Sequence, residues 1–333
     1  MEPLVRAENL AKHYEVARGG FGFGGAPIVV KAVDGLNFQL MPGESVGLLG
    51  ESGCGKTTTG RLLLDLESPS SGRILFDGQD IAKHDRATRR AWRRQAQFVF
   101  QNPFEALNPR FTIFNSLVEP LINAGIAKSE WQAHVDEAMT LVRLPDASGY
   151  YDRYPHQLSG GQLQRIVMAR ALILTPSFIV ADEPVSMLDV SVRAGILNVF
   201  RDIRDRLGLT AIYISHDLAL IRYVCERTLV MYLGTVVEDG PTEDIIRAPA
   251  HPYTKALVAA VPVPHPDQSR EALPIGPGAP DARTPPSGCR FRDRCPFAMD
   301  RCAVESPPLR IVDGKRRVAC HLVEATGSSA APS

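Results

Sequence analysis

The sequence predicts an α/β fold on a mainly parallel sheet, with an inserted helical block and a small cysteine-bearing C-terminal extension. Three observations predict it. Short apolar runs alternate with helical patterns along most of the chain, the arrangement that makes strand–helix–strand units and parallel pairing. A glycine-rich turn, Gly50-Glu51-Ser52-Gly53-Cys54-Gly55-Lys56-Thr57, joins one such run to a helix. Four of the six cysteines (Cys289, Cys295, Cys302 and Cys320) crowd into the last 45 residues, behind a proline-rich stretch.

The elements follow in order. Leu4–Asn9 and the alternating Lys31–Leu40 read as strands, with a glycine-rich loop at Gly19–Gly25 between them. Ser45–Leu49 is a short apolar run ending at Gly50. After Lys56 the leucines at 62, 63, 64 and 66 form a helical pattern, stopped by Ser68-Pro69-Ser70-Ser71-Gly72. Residues 73–81 read as a strand with a turn at Asp77-Gly78. From Phe104 to about Leu144 the pattern is mostly helical with Pro, Asn and Gly breaks. Strands return at Phe178–Ala181 and Thr210–Ile214 with a helix between them, then at Thr228–Tyr232 and Thr235–Asp239 around Leu233-Gly234. Eight of the 27 residues in 262–288 are proline, which reads as an extended connector because proline supplies no backbone donor.

The 333 residues carry 37 basic and 37 acidic side chains, a balance that argues against coating nucleic acid or anionic lipid. No apolar run approaches the roughly 20 residues that span a bilayer. The first residues show no basic stretch followed by an apolar one, so the expectation is a chain without a secretory signal. A reducing cytosol then disfavours disulfides and leaves the cysteine cluster to be explained otherwise.

Gly50–Thr57 fits the phosphate-loop pattern G-x-x-x-x-G-K-[ST] between a strand and a helix, where backbone N–H groups and the helix dipole favour phosphate. Lys56 is placed to reach the β- and γ-phosphates and Thr57 to hold Mg²⁺. The bland reading, a glycine turn that merely joins strand to helix, is set aside because the strand before it and the helix after it are both in place. Phe178–Ala181 ends in Asp182-Glu183, one carboxylate for Mg²⁺ and one to polarise a water. Leu158-Ser159-Gly160-Gly161-Gln162 lies 20 residues before Asp182, and alone reads as a helix cap.

Taken together these residues resemble the ATP-binding subunits of ABC transporters over residues 1–240. Leu158–Gln162 looks like their signature motif, Ser186-Met187-Leu188-Asp189 like their D-loop, Gln101 like the Q-loop glutamine, His216 like the switch histidine and Tyr14 like the aromatic that stacks on adenine. The resemblance implies a P-loop ATPase core with an antiparallel β subdomain (1–103 and 163–240) and a helical signature subdomain (104–162). Beyond these lie a helical extension (241–261), the connector (262–288) and the cysteine module and tail (289–333). It further implies that ATP and Mg²⁺ are bound by Tyr14, Gly50, Ser52, Gly53, Gly55, Lys56, Thr57, Thr58 and Asp182, with Gln101, Glu183 and His216 at the reacting end. Thr57, Gln101 and Asp182 are the implied Mg²⁺ contacts. Ser159, Gly160, Gly161, Gln162 and Asp189 would serve the nucleotide of a second, related ATPase subunit.

His251-Pro252-Tyr253-Thr254, the wording around Tyr154-Pro155-His156, the connector and the cysteine module look like the dipeptide/oligopeptide/nickel importer branch. That branch implies two permease subunits, an extracytoplasmic binding protein, and a place on the cytoplasmic face of the membrane. The chain departs from its pattern at Met187, where alanine is usual, and at Leu163, where a basic or polar residue is common. A soluble ABC-type mechanical ATPase acting on ribosome or DNA is the competing function, though paired ATPase units or long heptad arms are not seen. The spacings C-x5-C, C-x6-C and C-x17-C are not the paired C-x2-C of zinc ribbons. They suit a [4Fe–4S] cluster on Cys289, Cys295, Cys302 and Cys320, with free thiols or zinc as the competing readings.

Overall fold

The computed structural model describes residues 2–16, 28–144, 146–261, 275–276 and 281–323. The loop 19–25 and most of the connector, 262–274 and 277–280, therefore lie outside the described residues, as does the tail from 324.

Two sheets are present. The smaller is antiparallel and joins β1 (Val5–Val16), β2 (Ile28–Leu40), β4 (Ser71–Phe76) and β5 (Gln79–Asp80) in the order β2-β1-β4-β5. Val5 stands opposite Leu40 on one side and Phe76 on the other, so β1 is paired on both edges. The larger sheet has eight strands. Its parallel part holds β3 (Ser45–Leu49), β6 (Ala96–Val99), β7 (Phe178–Asp182), β8 (Thr210–Ser215) and β9 (Arg227–Tyr232) in the order β9-β3-β8-β7-β6. Antiparallel β10 (Thr235–Pro241) extends it, followed by β12 (Arg317–Val318) and β11 (Arg310–Ile311).

Strands β3, β7 and β8 are buried along their whole length, as expected of parallel strands covered on both faces. Their period-2 alternation splits the interior into two cores. Phe178, Val180, Ile212 and Ile214 face the small sheet and α1 (Lys56–Leu63). Ile179, Ala181, Ala211 and Tyr213 face the opposite core, packed by the longer helices.

Helix α2 (Arg86–Gln95) leads into β6. The inserted block holds α3 (Pro103–Ala106), α4 (Ile113–Ala124) and α5 (Trp131–Leu141), and closes with α6 (Gly160–Leu172). Then follow α7 (Val190–Leu207), α8 (Leu218–Val224), α9 (Thr242–Arg247), α10 (Pro252–Ala259) and α11 (Asp300–Val304). Among the described residues no helix is long and apolar enough to cross a membrane.

Two differences from the sequence reading bear on the site. The first strand runs past Asn9 to Val16 and carries Tyr14 opposite Val30. The cysteine-bearing segment is continuous with the main sheet, since β12 pairs Val318 with Glu238 and Arg317 with Asp239. Its Phe291 is only 1% exposed. Burying such a ring is worth about 1.5–3 kcal/mol.

Candidate active site

Strands β3, β7 and β8 run parallel in adjacent positions, so the segments leaving Leu49, Asp182 and Ser215 open together at one edge of the sheet. Ligands in open α/β sheets bind at such carboxyl ends. A cavity of about 560 Å³ lies there. It gathers Ser52, Gly53, Gly55, Lys56, Thr57 and Thr58 from the glycine-rich loop, and Gln101, Asp182, Glu183 and His216 from the other strand ends.

Local sequence explains the loop. Gly55 takes φ of 103°, and a Cβ there would sit 2.0 Å from the Ala32 carbonyl oxygen, so only glycine fits. Gly50 is held from the inside: its carbonyl accepts from Lys56 Nζ at 2.7 Å, and the same ammonium reaches the Glu51 carbonyl at 2.9 Å. Cys54 is buried behind the loop, a small space-filling residue.

The two acidic residues differ by environment. Asp182 is 4% exposed, and burial pushes its carboxyl upward against the opposing pull of a hydrogen bond from Thr57. Its Oδ1 is buried with no protein partner. An orphaned carboxylate oxygen in a cavity that Thr57 and Gln101 also line belongs to a set of hard oxygen donors of the kind Mg²⁺ takes together with phosphate. Glu183 sits at φ of 46°, in the left-handed region that a non-glycine residue occupies at some energetic cost. Its N–H donates to the Ile214 carbonyl at 2.8 Å, and its Oε1 accepts from the His216 backbone N–H at 3.1 Å. The His216 ring meets the same oxygen through Nδ1 at 2.6 Å, while the ring itself stays largely exposed.

Tyr14 does not line the cavity. Its hydroxyl donates to Glu67, Lys12 Nζ lies 5.2 Å from its ring centre, and it lies close to Thr58, which does line the cavity. Ser159, Gly160, Gly161, Gln162 and Asp189 also lie away from it. Ser159 caps α6: its Oγ accepts from the Gln162 N–H at 3.4 Å, and its own N–H donates to Gln162 Oε1 at 3.0 Å. Accepting in the cap leaves the hydroxyl proton of Ser159 free to donate elsewhere. A Cβ on Gly161 would lie 2.5 Å from Val192 Cγ1, so α6 packs directly on the first turn of α7, next to Asp189. Leu163 is fully buried in the helical core, which explains an apolar residue there, whereas Met187 is 62% exposed.

Two cavity-lining residues were not anticipated, Ala32 and Glu51. Nothing local marks them, because Ala32 sits in an ordinary strand and Glu51 at a variable place in the loop pattern. The four cysteines of the C-terminal segment all line a second, small cavity with His251 and Phe291. Burial raises the thiols of Cys289 (to about 11), Cys295 and Cys320. Among the described residues, no three His, Cys, Asp or Glu side chains are arranged to hold a single metal ion.

The family profile described as "ABC transporter" matches residues 33–186, and that described as "Oligopeptide/dipeptide transporter, C-terminal region" matches residues 237–302. The chain is 45% identical to the di/tripeptide transport ATP-binding protein DppF of Pseudomonas aeruginosa over 97% of its own length and 99% of that protein. The chain belongs to the ABC transporter ATP-binding family. This ABC ATPase is also 44% identical to the dipeptide transport ATP-binding protein DppF of Escherichia coli, over 97% of its length and 95% of the relative. A putative peptide import ATP-binding protein of Brucella ovis shares 46% over 96% and 97%.

Among solved structures, the post-hydrolysis dimer of the ATP-binding cassette MJ0796 bound to ADP and Pi has a TM-score of 0.61 at 27% identity, covering 72% of this chain and 98% of that one. The cbiO1 subunit of a Clostridium perfringens ABC transporter complex gives 0.63 at 25% identity, covering 74% and 92%. The ABC ATPase fold and ATP hydrolysis follow from this membership, and ATP with Mg²⁺ is the ligand expected of such an ATPase.

Proposed function

We propose that this chain is the ATP-hydrolysing subunit of an importer for peptides or related small solutes, docked peripherally on the cytoplasmic face of the membrane. The observation that carries the reading is the near full-length likeness to peptide-transport ATP-binding proteins, supported by a cavity that brings together Lys56, Thr57, Gln101, Asp182, Glu183 and His216. Lys56 and the loop N–H groups would hold the phosphates, and Thr57, Asp182 and Gln101 the Mg²⁺, which neutralises charge on the phosphates. Glu183 would orient the attacking water and His216 would contact the γ-phosphate. Tyr14, close to Thr58, would stack on adenine.

The signature residues and Asp189 stand away from their own cavity, which supports a role across a dimer, with Ser159 and Gly161 closing on the partner's nucleotide. Exposed Met187 and Val190 border Asp189 and supply apolar surface for such a contact. A related but different ATPase subunit is the proposed partner. Two permease subunits would sit on the helical block, where Phe104, Phe111 and Ile122 are exposed, and a substrate-binding protein would deliver cargo from outside.

The cysteine module is proposed to hold a [4Fe–4S] cluster on Cys289, Cys295, Cys302 and Cys320. Support comes from the four thiols sharing one cavity; a cubane takes one thiolate on each of four irons, so they need not converge as tightly as around one ion. The thiols of Cys289, Cys295 and Cys320, which burial holds protonated, would be deprotonated by the iron they bind.

One purification tests both proposals. Anaerobic isolation of the tagged chain from membranes is expected to bring down two permease subunits, with visible charge-transfer absorbance and about four irons per chain. Recovery with ribosomes or DNA in place of a permease would favour the mechanical ATPase reading. Zinc without iron would remove the cluster and leave the transport reading standing.

A further inference from the structure

The C-terminal segment reaches back to the phosphate loop at several points. The Arg294 guanidinium meets both carboxylate oxygens of Glu51, at 2.9 and 3.2 Å, across 243 residues of sequence. The Arg294 side chain is 13% exposed, and its guanidinium lies 5.9 and 6.0 Å from the ring centres of Tyr232 and Phe291. Those rings form one cluster with Tyr253, with centres 4.7 to 5.5 Å apart. Tyr253 adds a second tie, since its hydroxyl oxygen accepts from the Glu51 N–H at 2.9 Å. Arg290 adds a third by donating to Asp34 and to the Leu233 carbonyl. Asp34 lies two residues from Ala32, whose carbonyl presses on Gly55, and the Gly234 N–H donates to the Cys54 carbonyl at 2.9 Å. The start, middle and end of the loop are thus all held by contacts that converge on the segment between Cys289 and Cys295.

The charge matters as much as the placement. Glu51 lines the nucleotide cavity, where an uncompensated carboxylate would repel a triphosphate. A bidentate guanidinium both cancels that charge and fixes its direction, which a lysine does less well.

We propose that Arg294 is a positioning residue for the phosphate loop: it holds and neutralises Glu51 beside the triphosphate, so that nucleotide affinity depends on the folded C-terminal segment. The proposal rests on the cavity being the ATP site and not on any metal in the cysteine module. Arg294 is not among the residues that line the cavity, and it reaches that cavity through Glu51.

The test is a double-mutant cycle in the full chain within its complex, reading the Kd of a fluorescent ATP analogue together with KM and kcat for ATP. Arg294→Ala is expected to raise Kd and KM roughly tenfold, with kcat changed less than about twofold, because the lost interaction serves ground-state binding. Glu51→Gln alone supplies the remaining corner of the cycle, and adding it to Arg294→Ala is expected to recover most of the lost affinity. Arg294→Lys is expected to fall between wild type and Arg294→Ala. Circular dichroism and melting temperature establish that each variant is folded. If Arg294→Ala does not fold, Arg294→Lys and the double variant Arg294→Gln/Glu51→Gln carry the comparison. An unchanged Kd in folded Arg294→Ala overturns the proposal. So does a loss that Glu51→Gln fails to relieve, which would make the arginine a structural tie only. A wild-type complex that binds no ATP would instead overturn the reading of the cavity.

Discussion

Asp182 and Glu183 are adjacent carboxylates with separate surroundings. One is buried with an oxygen left without a protein partner, and the other is turned by an unfavourable backbone angle toward Ser215 and His216. That separation makes Glu183 the residue whose charge can be removed without disturbing the metal-side oxygen. Glu183→Gln is therefore expected to keep nucleotide affinity within about threefold while kcat falls by roughly 10²–10⁴, the usual contribution of a positioned general base. Equilibrium binding and steady-state turnover check this together, and a wild-type kcat would remove the assignment. At this scale the side chains that share the cavity, Lys56, Thr57, Gln101, Asp182, Glu183 and His216, were legible in the sequence because their order along the chain is distinctive. The partners of Glu51 were not: a carboxylate at a variable loop position says nothing about a tyrosine and an arginine some 200 residues or more downstream.

At the scale of elements, α6 begins with a capping box and packs on α7 through Gly161, which leaves room for nothing larger. Ser159 is exposed at that junction, on a helix end whose dipole favours negative charge. Ser159→Arg is expected to leave nucleotide binding to its own chain unchanged within about twofold while turnover of the assembled complex falls at least a hundredfold, because the bulky cation blocks closure over the partner's ATP. Loss of binding in the isolated subunit would contradict a role in trans. The start of α6 was visible as a Ser-Gly-Gly lead followed by helical periodicity. Strands β11 and β12, each of two residues, were not, since alternation needs several residues to show. The first strand was read too short because Lys12-His13-Tyr14 breaks its apolar alternation, while pairing to β2 carries it on.

Over the whole molecule, parallel order brings the loop after β3 and the ends of β7 and β8 to one edge, and the mostly antiparallel C-terminal part returns to support that edge from behind. The alternation of strands and helices was enough to predict the first half of this arrangement. The second half depends on side-chain contacts of long sequence separation: Arg317 on Asp239, Arg290 on Asp34 and Arg294 on Glu51. The abundance of arginine after residue 283 was visible in the sequence, but its destination was not. In the fold those side chains anchor the segment to the ATPase core.

The central claim is that ATP hydrolysis at this cavity drives import, and reconstituted transport tests it most directly. Proteoliposomes holding the complex, with Mg-ATP enclosed and the substrate-binding protein outside, are expected to accumulate a radiolabelled dipeptide with the wild-type chain and to lose that accumulation with Glu183→Gln. Uptake at the wild-type rate with Glu183→Gln, or without enclosed ATP, would contradict the account.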